Sequence, residues 1–488
     1  MNRRSFLRRA AAVGGLAAMA PLQALGQRVA LGLTPAPIKG YGPLVDKGDL
    51  WLPKDFNYQI ISRQGTTMGD GSPTPGIFDG MGAFPGGRSE EGRRQTILIR
   101  NHENRDYPGE IRVQTPPGLE YDELTYGGNS KLVVQRSKTG SVDPVSGRAL
   151  YEYEVVTDFA ILGGTTTNCA GGIKLNKKWI TCEEVVKRSP NGKKHGYAFE
   201  IDATADGPVP AVPIRAAGRF AHEAAAWRDG ILYLTEDRSI VPDSQLGAIG
   251  ACFYRFIPDL KQIASSNLAF TDGRLQALKI KGQSHVNMDS GRTVGVSYPV
   301  EWVTVDHPDH DDDTDDNRDR IPGMTPTRIQ AQDKGAAFFD RLEGAWACGS
   351  GTTARICIDC TSGGAAKLGQ IWEYDPSRSV ITLIYESSNP STLRNPDNLV
   401  IVPQTRDFFL CEDSYPDQSI RGLTHRGEIY DFARTITNVT EFCGACFDPA
   451  GHTLYVNQQG ARDMLPDGPA GAQAVTYAIY GPFGKRLR

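Results

Sequence analysis

GRFAHEAAAWRDGILYLTEDR, residues 218–238, is the stretch whose reading decides the fold. Two apolar runs flank the Asp229-Gly230 turn, which reads as a β-hairpin. Glu223 opens the first run, and Glu236 and Asp237 close the second. The start of a hairpin's first strand and the end of its second lie at the same end, so these acids gather on one face.

The plan recurs. TTNCAGGIKLNKKWITCEE opens on Cys169 and closes on Glu183 and Glu184. RLEGAWACGSGTTARICIDC runs from Glu343 to Asp359, and NPDNLVIVPQTRDFFLCEDS from Asp397 and Asn398 to Glu412 and Asp413. TEFCGACFDPAGHTLYVNQQ runs from Glu441 to Asn457, and a looser copy runs from Asp79 to Asn101, His102 and Glu103. In several units an aromatic third strand follows, as in HGYAFEID, CFYRFIPD, GQIWEYDP and GEIYDFAR. Repeats of roughly 40–50 residues built from short strands mark a β-propeller. The expected fold is all-β, a six-bladed β-propeller with a metal site at one mouth of the central channel.

The chain has 488 residues, 54 of them glycine and 31 proline, as a turn-rich β domain requires. It opens Met-Asn-Arg-Arg-Ser-Phe-Leu-Arg-Arg, then an apolar run and a small-residue stop at Ala24-Leu25-Gly26. That is the pattern of a twin-arginine export signal over residues 1–26, leaving 27–488 as one catalytic domain. Beyond the signal no stretch is apolar enough to span a bilayer. Removing four arginines and no acids moves the formal charge from −4 to −8, which argues against nucleic acid as a partner. The expected location is the periplasm or the medium, with the twin-arginine translocase as the partner in export.

Nine cysteines is an odd and high number for an exported protein. Cys169, opening a unit among acids from other units, is the expected thiolate ligand. The two C-x-x-C pairs, Cys357 with Cys360 and Cys443 with Cys446, read poorly as zinc ligands, because residues three apart on a strand face opposite ways. Carboxylates suit hard cations such as calcium, and a thiolate adds affinity for a transition metal. The candidate ligands are Cys169, Glu183, Glu184, Glu223, Glu236, Asp237, Glu343, Asp397, Asn398, Glu412 and Asp413. Arg219, Arg238, Arg341 and Arg394 lie beside these motifs and could meet a substrate anion. The run DHPDHDDDTDDNRDR, Asp306 to Arg320, reads as a flexible solvated loop rather than a calcium loop.

Taken in order, NCAGG with TCEE, GRFAHEAAAW with YLTED, ACFYRFIP, RLEGAW, PDNL with LCED, and GACFDPAGHTLYVN resemble the signatures of the PhoX-type secreted alkaline phosphatases. The resemblance spans about Asp79 to Gln459. It implies a six-bladed propeller, twin-arginine export, ferric iron and calcium (Fe3+ and Ca2+) around a bridging oxo group, and hydrolysis of small phosphate monoesters. It also implies that Cys169 ligates iron and that Glu184, Glu223 and Glu343 ligate metal. Leu342, where the family often has proline, and Ala450 and His452 in the last hairpin turn depart from its pattern.

Closely spaced metal ions suit phosphoryl transfer, and no G-x-S-x-G elbow or P-loop is present to support a serine hydrolase or a nucleotide-triphosphate motor. Two alternatives use the same scaffold. One is a calcium-dependent propeller hydrolase of another ester, such as a lactone, which leaves Cys169 unexplained. The other is a non-catalytic propeller whose metals are structural.

Overall fold

The computed structural model describes residues 39–259, 272–436, 438–460 and 472–487. The proposed export signal lies outside the described residues. Among the described residues antiparallel sheet units follow one another along the chain, headed by the inner strands Phe78–Arg88, Asn168–Lys174, His222–Arg228, Leu342–Cys348, Pro396–Ile401 and Phe442–Phe447. Each inner strand neighbours the next, and the last neighbours the first, so the sheets close in a propeller-like ring. The third and fourth sheets are continuous, because Ser297–Thr304 pairs with both Gly273–Ile280 and Val380–Glu386. Closure is made by the N-terminal side of the domain: Asn57–Arg63 pairs with Val475–Tyr480 and completes the sixth sheet.

The hairpins form where the sequence indicates. Asp229 and Gly230 both have positive φ (50° and 85°), as do Asn176 and Lys177 (59° and 57°). That is the two-residue turn whose twist matches the strands it joins. Apolar side chains fill the space between sheets. Ile180, Cys182 and Ala198 of the second sheet pack with Ala225, Leu232 and Leu234 of the third, all at most 1% exposed.

One irregularity is repeated six times. Each inner strand carries a single-residue bulge against its partner just past its start, for example between Asn168 and Gly171 and between His222 and Ala225. A bulge bends the strand and re-aims the side chains around it. Small residues there let neighbouring sheets touch. A Cβ on Gly172 would lie 1.5 Å from the Ala225 carbonyl oxygen, and one on Gly444 (φ +60°) 2.2 Å from that of Asp79.

The Asp306–Arg320 segment corrects the expectation of a flexible solvated loop. Asp309 accepts from the Tyr197 hydroxyl (2.6 Å) and pairs with Lys194 and Arg215. Asp313 pairs with Arg188 (2.7 Å) and Arg219 (2.9 Å), and Asp315, 1% exposed, pairs with Arg238 and Arg328. Basic residues brought in from other units neutralise the charge block that would otherwise repel itself. Among the described residues no helix is long and apolar enough to cross a membrane.

Candidate metal centre

The hairpin registers show which residues reach the channel mouth. Phe78 lies opposite His102, Asn168 opposite Glu183, His222 opposite Glu236, Leu342 opposite Cys360, Pro396 opposite Glu412, and Phe442 opposite Gln458. The next residues on the inner strands form an inner tier: Asp79, Cys169, Glu223, Glu343, Asp397 and Cys443. The residues following the second strands form an outer tier: Glu103, Glu184, Asp237, Thr361, Asp413 and Gln459. Every outer-tier residue donates its backbone N–H to the carbonyl two positions before its inner-tier mate. Glu103 donates to Ile77 (2.8 Å), Glu184 to Thr167 (2.9 Å) and Asp237 to Ala221 (3.1 Å). Thr361 donates to Arg341, Asp413 to Asn395 and Gln459 to Glu441 (2.9, 2.9 and 3.1 Å).

The two tiers bring ligand atoms together. Asp79, Glu103 and Cys169 form one group, Cys169, Glu184 and Glu223 a second, and Glu184, Asp237 and Glu343 a third, with the atoms of each group within 4.8 Å of one another. Cys169 and Glu184 are shared, so the three groups make one continuous site across four consecutive units. Asp397 and Asp413 extend it toward the fifth unit, where Asp413 adds negative charge to the surroundings of Asp397.

The electrostatics are those of anions gathered out of water. Burial, then the neighbouring carboxylates, push Asp79, Glu184, Glu223 and Glu343 well above the usual carboxylate range, and Asp397 to about 7. Burial and the same acids push the Cys169 thiol up. Two guanidinium groups meet the cluster. Arg105 pairs with Glu103 and lies 3.9 Å from Glu184, while Arg341 donates to Asp237 (2.9 Å) and Glu343 (2.6 Å). Gln459 donates its amide to Asp79 (3.2 Å) and Glu103 (2.7 Å). Among the described residues Glu223 Oε2 is buried with no hydrogen-bond partner. A buried carboxylate oxygen with no donor, inside a set of oxygens and one sulfur, fits cations: hard ones by the oxygens, a transition metal by the thiolate.

A match to the family model for alkaline phosphatase PhoX covers residues 39–461, nearly all of the described domain. The chain belongs to the PhoX family of alkaline phosphatases. Family membership makes it a metal-dependent phosphatase. Among solved structures it is similar to Pseudomonas fluorescens PhoX in complex with vanadate, a transition state analogue. That match has 16% identity and a TM-score of 0.61 and covers 92% of this chain and 98% of that one. At that identity the likeness is one of fold. The periplasmic gluconolactonase PpgL of Pseudomonas aeruginosa matches with 10% identity and a TM-score of 0.32, over 77% of this chain and 95% of its own. No match to a curated protein was found in sequence.

Within this PhoX-family site, each acid doublet divides its labour. Adjacent residues at a strand end point opposite ways. The second acids, Glu184 and Asp237, enter the cluster and Asp413 lies beside it, whereas the first acids, expected as ligands, turn back into their own sheets. Glu183 accepts from His195 (2.7 Å) and from the backbone of Gly196 (2.8 Å) and Tyr197 (3.1 Å). Glu236 accepts from the Cys252 N–H and the Tyr254 hydroxyl, both 2.9 Å. Glu412 accepts from the Arg394 N–H (2.9 Å) and Arg421 (3.0 Å). Asn398 lies past the bulge and accepts from the Ala445 N–H. The hydrogen bonds of these four lie at strand ends, and Glu183, Glu236 and Glu412 are in none of the three groups.

Other expectations shift by register. In the fourth unit the outer-tier residue is Thr361, not Asp359, and in the sixth the inner-tier residue is Cys443, not Glu441. Of the four arginines named from sequence, Arg341 alone touches the cluster acids. Arg219 is fully buried against the carbonyls of His195 and Lys187, and Arg394 donates to Tyr415. Asp79 and Glu103 were legible only as the loose copy, and Gln459 only as the end of the last repeat. Arg105, two residues beyond Glu103, carried no repeat signal at all.

Proposed function

We propose that the chain, exported on residues 1–26 through the twin-arginine route, hydrolyses phosphate monoesters in the periplasm with ferric iron and calcium at this mouth. Asp79, Glu103, Cys169, Glu184, Glu223, Asp237 and Glu343 would hold the ions, with Asp397 and Asp413 beside them. Cys169 would favour iron, and the all-oxygen group Glu184, Asp237 and Glu343 would favour calcium. Bound there, the ions supply Lewis acidity toward phosphoryl oxygens and a nucleophile from water at moderate pH.

The chain's own residues supply positioning. Arg341 and Arg105 place positive charge at the edge of the acid ring; both give Nε and Nη2 to its carboxylates, and each would offer Nη1 to a non-bridging phosphate oxygen and help fix the ester for in-line displacement. Burial of the inner tier keeps bulk water off the anions and strengthens every contact made there. The observation that carries this reading is the convergence of seven ligand-type side chains from four units in overlapping groups of 4.8 Å.

Elemental analysis of the exported protein, run beside hydrolysis of a chromogenic phosphate monoester, tests it. Iron and calcium with phosphate release that Cys169→Ser abolishes are expected. Calcium without iron, and no phosphate release, would overturn it.

A further inference from the structure

The cluster does not end at Asp237. A cleft of about 320 Å³ shares Asp237 with it and is lined also by Arg238, Ser239, Thr314, Asp315 and Arg318. One wall is the acidic Asp306–Arg320 loop, held in place by ion pairs; the other is the chain leaving the third hairpin. Its volume suits a small polar molecule. Val241 is its one apolar side chain and no aromatic ring lines it, so nothing there would stack on a nucleobase.

The cations in this cleft are not equivalent. Arg328 is 4% exposed and held by the buried Asp315. Arg318 gives Nε and Nη2 to Asp316 and Nη1 to the Pro242 carbonyl, so each of its nitrogens already has an acceptor. Arg238 donates Nε to Asp315 at 2.7 Å, and among the described residues no protein acceptor is seen for its Nη1 and Nη2. It shares the cleft lining with Asp237, an acid of the third candidate ligand group.

We propose that this cleft is the leaving-group subsite and that Arg238 reads a second anionic group there, favouring phosphorylated polyols or sugars that carry a second phosphate. The proposal rests on the phosphatase reading above. Asp315 holds Arg238 through Nε, and Arg238 lines the cleft with its Nη groups left over, the pair of donors that suits a phosphate fork. Ser239 and Thr314 add hydroxyls for the polyol between the two phosphates.

The test compares initial kcat/KM for a hexose bisphosphate and the matching hexose monophosphate, using the metal-loaded mature enzyme. The wild type is expected to favour the bisphosphate, and Arg238→Gln to lower that preference about tenfold, the scale of one charge-assisted contact. Ser239→Glu, which places a negative charge in the cleft while keeping the Arg238–Asp315 pair, is expected to lower it as well. No preference in the wild type, or a ratio unchanged in both variants, overturns the cleft assignment while leaving phosphatase action intact. Hydrolysis of neither ester overturns both readings.

Discussion

Asn101 donates its side-chain amide to the carbonyls of Cys169 (2.6 Å) and Ala170 (2.5 Å), so a residue of the first unit sets the inner-tier thiol of the second. The device recurs around the ring. Asn457 of the sixth unit donates to the Asp79 carbonyl (2.6 Å), and Thr235 of the third to that of Glu343 (2.5 Å). Three hairpins thus hold the inner strand of the next one around the ring. Asn101→Ala is expected to cost about 1–3 kcal/mol, because Trp179 Nε1 and two bulge carbonyls lose a buried partner. Urea unfolding measures that cost, and an unchanged midpoint would sink the positioning role.

The doublets allow a sharp comparison between neighbours. Glu184→Gln is expected to lower bound metal and to cut turnover by about two orders of magnitude or more, as loss of electrostatic support at a transition state does. Glu183→Gln should instead leave metal content near wild type and lower the melting temperature, since it breaks the buried contacts to His195, Gly196 and Tyr197. Elemental analysis and thermal melts of the two variants, side by side, read the difference. Equal metal loss in both would mean that the doublet does not divide as its side chains indicate.

Cys169 separates an iron site from an all-oxygen one. Thiolate bound to ferric iron is expected to give the purified protein a visible charge-transfer band, and Cys169→Ser to remove the band and most of the iron while sparing calcium. A colourless wild type with full phosphatase activity would refute the thiolate role.

Stability should carry a pH signature from the second unit, away from the cluster. Burial presses the His195 imidazolium down, but Glu183 and Asp122 outweigh it and its pKa is raised above 6.5. A raised folded pKa contributes stability that is present below the unfolded value and lost as pH rises through the folded one. Burial pushes Asp122 up, yet hydrogen bonds from Ser189, the Leu124 N–H, His195 and Asn191 bring it down to about 2. Its contribution is present above its ordinary 3.8 and lost as pH falls toward 2. Melting curves of wild type and His195→Gln from acid to alkaline pH should converge on the alkaline side. A constant gap between them would contradict the linkage.

Close packing at the ring gives a prediction independent of chemistry. Gly172→Ala would place a Cβ 1.5 Å from the Ala225 carbonyl oxygen, against backbone that a side-chain rotation cannot clear. Overpacking of this kind costs about 1–3 kcal/mol or more, and chemical denaturation would report it. A variant as stable as wild type would show that the second and third units stand further apart.

Several features were determined by the amino-acid order alone. Apolar runs around Asp-Gly and Asn-Lys turns make hairpins wherever they occur, and their recurrence with acids at both ends placed those acids at one mouth. Cys169, Glu184, Glu223, Asp237 and Glu343 could be named on that basis, because ligand type and position in the repeat coincide. Tertiary structure alone decided which member of each doublet faces the channel. A period of two says that neighbours oppose each other, but the phase is set by a bulge and by contact with the next sheet. The same one-residue bulge put Cys443 and Thr361 in the tiers in place of Glu441 and Asp359, and it took Asn398 out. Arg105 and the ion-paired acidic loop were beyond any local reading. Arg105 reaches Glu184 and Asp313 reaches Arg188 across long stretches of chain, and only the closed ring brings such charges within reach of one another.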